Sequence, residues 1–184
     1  MAVWKKPPKI EINSDMIKVV VASYYRFQRL YIYTATEYEH MDICTCNGKY
    51  LTEIEVKISY SDLKADSKKT KVYGKLKHDF YSGKCQSKYV LVPNYFYYAI
   101  TEDMYFDGKS VKWIKENYPN YGIMYIRDWR EPLIQKRPTM LHKNKVGQNT
   151  LDSIIKRISS ENICLRKKMY DLKLELKNIK KEKL

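Results

Sequence analysis

Asp42-Ile43-Cys44-Thr45-Cys46-Asn47-Gly48-Lys49-Tyr50-Leu51-Thr52-Glu53-Ile54-Glu55-Val56-Lys57 decides the fold of this chain. Asn47-Gly48 between two runs of alternating polarity is the strongest short-range signal for a β-hairpin. With those two residues as the loop, Cys46 faces Lys49, Cys44 faces Leu51 and Asp42 faces Glu53. Strand side chains alternate in direction, so Asp42, Glu53, Glu55 and Lys57 share one face. Ile43, Thr45, Ile54, Val56 and Ile58 fall on the other and read as core. Acids opposite each other on neighbouring strands repel. A cation between them removes the repulsion, and a lysine beside it can polarise a water. The same acids also suit the solvated face of an antiparallel sheet.

Downstream, Ser59 or Ser61 can cap a helix from about Ser61 to Lys77. In that helix Asp62, Asp66, Lys69 and Tyr73 share a face. Asp62 also suits the positive end of the helix dipole, and Asp66 with Lys69 suits an exposed ion pair.

The run Thr52-Glu53-Ile54-Glu55-Val56-Lys57-Ile58-Ser59, followed by Asp62-Leu63, Asp66 and Lys69, resembles the active-site block of MmcB-like DNA repair proteins. These belong to the PD-(D/E)xK, or restriction-endonuclease-like, nuclease superfamily. Tyr89 to Ile100 resembles the same family's strand after the helix, and Tyr121 to Ile126 resembles its closing strand. The resemblance covers roughly residues 35 to 135 and rests on residue types at fixed offsets. It implies a metal-dependent nuclease acting on DNA, with RNA still open. It implies Asp42 and Glu55 as catalytic, metal-binding acids, a Val56 carbonyl on the metal, and Lys57 as catalytic lysine. Glu53, Ser59, Asp62, Asp66 and Lys69 are implied as site support or substrate contacts. The expected metal is Mg²⁺, with Mn²⁺ as a substitute, since a hard ion takes few carboxylates and keeps waters for a phosphate to displace. The chain departs from the wider superfamily before Asp42. Glu39-His40-Met41 stands where a basic residue is common, and the first helix offers only Asp15, with Glu11 ahead of it.

Composition is compatible with that partner. The chain carries 35 Lys and Arg against 21 Asp and Glu, a formal charge of +14, which suits a polyanion. A basic surface is also common without one. The 18 tyrosines are read first as strand residues, notably Tyr31, Tyr33, Tyr95, Tyr97 and Tyr98, and second as stacking partners for bases. Cys44, Cys46, Cys85 and Cys164 match no zinc template well and read as free thiols. No glycine-rich phosphate loop is present, which argues against an ATP-driven enzyme. No apolar run is long enough to span a bilayer and the N-terminus has no apolar signal core, so the expectation is a cytoplasmic protein without a membrane partner.

The element order predicted from pattern is a basic arm to about Lys9 and a helix from Ser14 to about Arg29. A strand over Tyr31 to Glu39, the hairpin, and the helix from Ser61 follow. A loop then spans His78 to Ser87, and a strand runs from Lys88 to Ile100 with Pro93 at a bend or edge. A short helix over Val111 to Asn117 and a strand over Tyr121 to Ile126 close the domain. This is a mixed α/β (α+β) class, a central mixed sheet flanked by helices. The division of the chain is a nuclease-like domain over 1–136, a linker over 137–149 and a C-terminal helix over 150–184. In that helix Leu151, Ile155, Ile158, Asn162, Leu165, Met169, Leu172, Leu176 and Ile179 recur at the alternating spacing of a heptad seam. Asn162 at an a position with leucine at d favours a parallel homodimeric coiled coil through residues 151–179. Ile154 and Ile163 lie off the seam and suit packing back on the domain instead. A basic-zipper factor fits poorly, because Pro138 and Gly147 interrupt the basic stretch.

Overall fold

In the computed structural model, residues 12–182 are described, with side chains described through residue 176. The basic arm to Lys9, Glu11 and the side chains from Lys177 onward, Ile179 among them, lie outside the described residues. The chain is a mixed α/β protein with a six-stranded mixed sheet in the order β1-β2-β3-β4-β5-β6. These strands are Tyr33–Tyr38, Met41–Cys46, Leu51–Lys57, Tyr95–Thr101, Gly122–Ile126 and Leu133–Lys136. Helix α1, Ser14–Ser23, precedes them, capped by Asn13, whose side chain accepts the Met16 amide; it continues as a π-helical turn over Tyr24–Gln28. Helices α2 (Tyr60–Asp66) and α3 (Lys77–Tyr81) join β3 to β4, α4 (Glu102–Phe106) and α5 (Lys109–Asn117) join β4 to β5, and α6 spans Gln148–Glu182.

β1, β2 and β3 form an antiparallel meander, and β4 and β5 add in parallel to β3. All seven residues of β3 are buried, as a central strand covered on both faces requires. One face rests on α1: Met16, Ile17, Val20 and Val21 pack on Ile43, Ile54, Val56, Ala99 and Met124. On the other face Leu63, Phe80 and Tyr81 cover Phe96, Tyr98 and Ile100. Beside them Leu151 and Ile154 of α6 pack on Ala35, Cys44, Cys46 and Leu51.

The hairpin register differs from the two-residue loop. Cys46 pairs with Leu51, Cys44 with Glu53 and Ile43 with Ile54. Asn47 is the reason: its side-chain oxygen accepts the amides of Lys49 at 3.0 Å and Tyr50 at 2.9 Å, which closes a four-residue loop. Gly48 supplies the positive φ that this loop needs. The shift is by two residues, so each side chain keeps its face while its partner changes. Ile58, expected in the core, lies past the end of β3 and is 48% exposed.

The helix expected over residues 61–77 is α2 alone, and the chain then turns. Val72–Gly74 forms a single 3₁₀ turn with Tyr73 at positive φ, so Tyr73 leaves the face it was assigned and is exposed. The loop expected from His78 contains most of α3, and β4 begins only at Tyr95. Pro93 precedes β4, where a missing amide is tolerated. Neither α4 nor the edge strand β6 was anticipated.

Residues 137–147 run without helix or strand from β6 to α6, and Asn94 pins this stretch. Its Nδ2 donates to the carbonyls of His142 at 2.9 Å and Asn144 at 2.8 Å, while its Oδ1 accepts the Leu51 amide at 2.8 Å. α6 is then docked by its first turns. Arg157 Nε donates to the Thr36 carbonyl at 3.1 Å, and Glu161 accepts from the Thr36 hydroxyl. Farther on, Leu165, Met169, Leu172 and Leu176 are exposed, and Asn162 accepts from Arg166 one turn away. The seam residues Leu151 and Ile158 are therefore spent partly or wholly on β1 and β2, as Ile154 off the seam foreshadowed.

Candidate active site

Glu53, Glu55 and Lys57 project from β3 toward α2 and α3, beside Phe96, Tyr98 and Ile100 of β4 in the parallel register. α2 starts where it does because the Ser59 hydroxyl accepts the Asp62 amide at 3.1 Å. That cap sets the helix so that Asp66, at its last turn, enters the same buried space. α3 delivers Lys77, His78 and Tyr81 from the opposite side; its anchor is the Lys77 amide on the Lys69 carbonyl at 2.8 Å.

The result is an ion cluster of three acids and three lysines. Glu55 Oε2 meets Lys57 Nζ at 3.1 Å and Lys69 Nζ at 3.0 Å, and its Oε1 meets Lys77 Nζ at 2.9 Å. Asp66 Oδ1 meets the same three ammonium groups, at 3.4 Å for Lys57, 3.0 Å for Lys69 and 3.2 Å for Lys77. Asp66 Oδ2 accepts from Tyr98 at 2.8 Å and from His78 Nε2 at 2.9 Å. The Tyr121 hydroxyl lies 2.9 Å from His78 Nδ1, so the network assigns a neutral His78 carrying its proton on Nε2. Glu53 accepts from the Tyr81 hydroxyl at 2.6 Å, and its other oxygen is buried with no hydrogen bond, 3.6 Å from Lys77.

Burial alone would raise Glu55, but Lys77, Lys57 and Lys69 outweigh burial and the Asp66 charge and hold it at about 2. Asp66 is held below the usual carboxylate range in the same way, by the His78 hydrogen bond and then the three lysines against its own burial. Glu53 goes the other way. Burial, reinforced by the Glu55 charge, pushes it up to about 7 despite Lys77. Burial lowers His78, which keeps its ring neutral against the pull of Asp66.

The Glu53 shift has a measurable sign. Between the unfolded carboxyl value near 4.5 and about 7, the folded chain holds a proton that the unfolded chain has released, so this group makes stability fall as pH rises through that window. Glu55 acts at lower pH, where stability is lost as pH drops from 4.5 toward about 2. Glu53→Gln should therefore remove a loss on the order of 3 kcal/mol between pH 4.5 and 7. Urea unfolding of both proteins across that range reads it, and parallel profiles would contradict a protonated Glu53.

Asp42 stands at the edge of this cluster. Its Oδ2 accepts the Val56 amide at 2.8 Å, and Lys18 of α1 lies 3.7 Å from its Oδ1. Extended one step past Ile43 and Ile54, the observed register sets Asp42 against Glu55 rather than Glu53. Burial and then the Glu55 charge raise its carboxyl above the ordinary value. Asp62 is half-exposed, 3.8 Å from Lys57. Ser59 serves the α2 cap and also contacts Ser61 at 3.0 Å.

The structure thus brings Asp42, Glu53, Glu55, Lys57, Asp66 and Lys69 into one neighbourhood. Sequence reasoning missed Lys77, His78 and the hydroxyls of Tyr81, Tyr98 and Tyr121. A weak signal was present for Lys77 alone, which sits with Phe80 and Tyr81 at the spacing of one buried helical turn although its charge reads as exposure. Among the described residues, no three His, Cys, Asp or Glu side chains converge in a way that could hold a metal ion. Lysine ammonium groups stand between the acids instead. No family model, no curated protein and no solved structure matches this chain.

Proposed function

We propose that this protein is a metal-dependent nuclease hydrolysing phosphodiester bonds of DNA, in repair or in phage or bacterial DNA processing. The observation that carries the reading is the placement of Asp42 against Glu55 with Lys57 on the same face of β3. The element order supports it, since a helix, an antiparallel meander, a helix and a parallel fourth strand is the order of a restriction-endonuclease-like core. The +14 charge supports a polyanionic substrate, RNA included.

The donor chemistry fits a hard divalent cation. Mg²⁺ needs only one or two carboxylates, and Asp42 and Glu55 provide two, with the Val56 carbonyl between β2 and β4 as a third oxygen. Burial and then the Glu55 charge raise the Asp42 carboxyl, and a cation between the two acids would relieve the repulsion. When bound, the ion would neutralise a phosphate oxygen and acidify a water. Lys57, held at 3.1 Å from Glu55, would be placed to orient that water. Lys69, half-exposed and on the same carboxylate, faces the incoming phosphate. His78 stays neutral, the Glu53 carboxyl is pushed up to about 7, and both support the cluster from behind.

A second reading has its own observation. The three lysines already satisfy both oxygens of Glu55, so the cluster is balanced without a metal. That suits a catalytically inactive nucleic-acid-binding or scaffold protein on the same fold. Metal-dependent cutting separates the two readings, because the scaffold would bind DNA and leave it intact.

In either case we propose a homodimer. Leu165, Met169, Leu172 and Leu176 form an exposed apolar stripe on α6 beyond its docked turns. Sedimentation of the whole chain should give a dimer that Leu172→Lys converts to monomer; a wild-type monomer at micromolar concentration would remove the coiled coil from the account. Among the described residues, no helix is long and apolar enough to cross a membrane.

A further inference from the structure

A cavity of about 530 Å³ opens beside the ion cluster, within the roughly 300–1,000 Å³ of small-molecule sites. Lys69 and Lys77 of the cluster form part of its wall, joined by Lys71 and by His40 from the turn between β1 and β2. Tyr89 with the apolar Val72, Val90 and Leu91 and the hydroxyl-bearing Thr70 complete the wall, and among the described residues Glu39 is the one acid in the lining. Lys69 and Lys77 are paired with Glu55 and Asp66. Lys71 is not: it reaches only the Glu39 carbonyl, at 3.4 Å, and no carboxylate lies within 4.0 Å of it among the described residues. Tyr89 is 66% exposed, with Lys88 Nζ 5.1 Å from its ring centroid.

A bare anion would use the lysines and leave the aromatic and apolar wall without a role. A paired base cannot lie flat against a tyrosine, whereas an unpaired one can, and stacking of this kind tolerates any base. We propose that this pocket holds one unpaired nucleotide of a single-stranded or splayed DNA, its phosphate on Lys71 and its base on Tyr89. Lys69 belongs to both the pocket and the Glu55 carboxylate, so the next phosphate along the strand is led toward Lys57. Burial, and then the Lys77 charge, outweigh the pull of Glu53, Glu55 and Glu39 and disfavour the charged form of Lys71, a cost that a phosphate on its ammonium would reduce. The inference rests on reading Glu55 and Lys57 as the cleavage site, and it narrows the substrate to strands with unpaired nucleotides.

Fluorescence anisotropy in EDTA tests it without any cutting. The probes are a labelled oligothymidylate and a blunt duplex of equal length at fixed ionic strength, with thymidine monophosphate as competitor. The single strand should bind at least about tenfold more tightly than the duplex, and Tyr89→Ala and Lys71→Ala should each weaken it about tenfold. Lys112→Ala, which removes an exposed charge from α5, should leave it unchanged. Equal affinity for duplex and single strand would overturn the proposal. So would two pocket variants that bind like wild type, or binding of the mononucleotide without the oligonucleotide. Unchanged anisotropy in the pocket variants alongside Mg²⁺-dependent cleavage would sink the pocket and leave the nuclease standing. The expected losses of binding in a protein that cuts nothing would sustain the pocket and remove the nuclease.

Discussion

Lys57→Ala should lower metal-dependent cleavage of DNA by about 10²–10³-fold, the usual cost of removing one preorganised charged group from a reacting centre. Lys57 is nearly fully buried, and its ammonium bridges Glu55 at 3.1 Å and Asp66 at 3.4 Å. Its removal leaves the two acids to Lys69 and Lys77, which also destabilises the fold. Asp42→Asn keeps the rate argument independent of that effect. Asparagine preserves an acceptor for the Val56 amide while removing the charge opposite Glu55. A folded Asp42→Asn protein that cuts at the wild-type rate would take Asp42 out of the site.

Lys77→Met should cost about 3–5 kcal/mol of stability, because it breaks a buried pair and leaves acids behind. Lys77 is about 1% exposed and serves Glu53, Glu55 and Asp66 together. Methionine matches its length but donates nothing, so Glu55 Oε1 loses its 2.9 Å donor while its side chain is only 1% exposed. Thermal unfolding should shift down by roughly 10 °C for a chain of this size. A shift under about 2 °C would mean that the acids carry no charge in the folded state. Lys69→Met is the internal comparison. Its side chain is 46% exposed, and solvent can replace its contacts, so its loss should be much smaller.

Much of this arrangement was legible in the sequence, and the parts that were not fail for identifiable reasons. Alternation along 42–57 gave the faces of β2 and β3 correctly because the side-chain period of a strand survives any even shift of register. The register itself depended on Asn47, whose side chain can either sit at a two-residue turn or bridge two amides, and periodicity does not distinguish these. α2 was anticipated from the Ser59 cap, but its end was not, since the Ser67-Lys68-Lys69 stretch carries no glycine or proline to stop a helix. Lys77 and His78 were hidden for a different reason. A buried lysine is rare enough that charge reads as exposure, and only three convergent carboxylates reverse that inference. The edge strand β6, Leu133-Ile134-Gln135-Lys136, has four residues that put one apolar and one polar side chain on each face, so it carries no periodic signal. In α6 the heptad pattern was real, yet a regular apolar stripe does not say where one partner surface ends and another begins. The first turns of the stripe rest on the sheet, and the later turns do not.

The most direct measurement of the central claim is a time course of labelled single-stranded, duplex and branched DNA with purified protein. The arms are Mg²⁺, Mn²⁺ and EDTA, with Lys57→Ala and Asp42→Asn in parallel. The account predicts cutting that requires either metal, stops in EDTA and is lost in both variants. Salt-sensitive binding with every substrate intact under all three conditions would contradict it, and would leave the lysine-balanced cluster as the core of a binding protein.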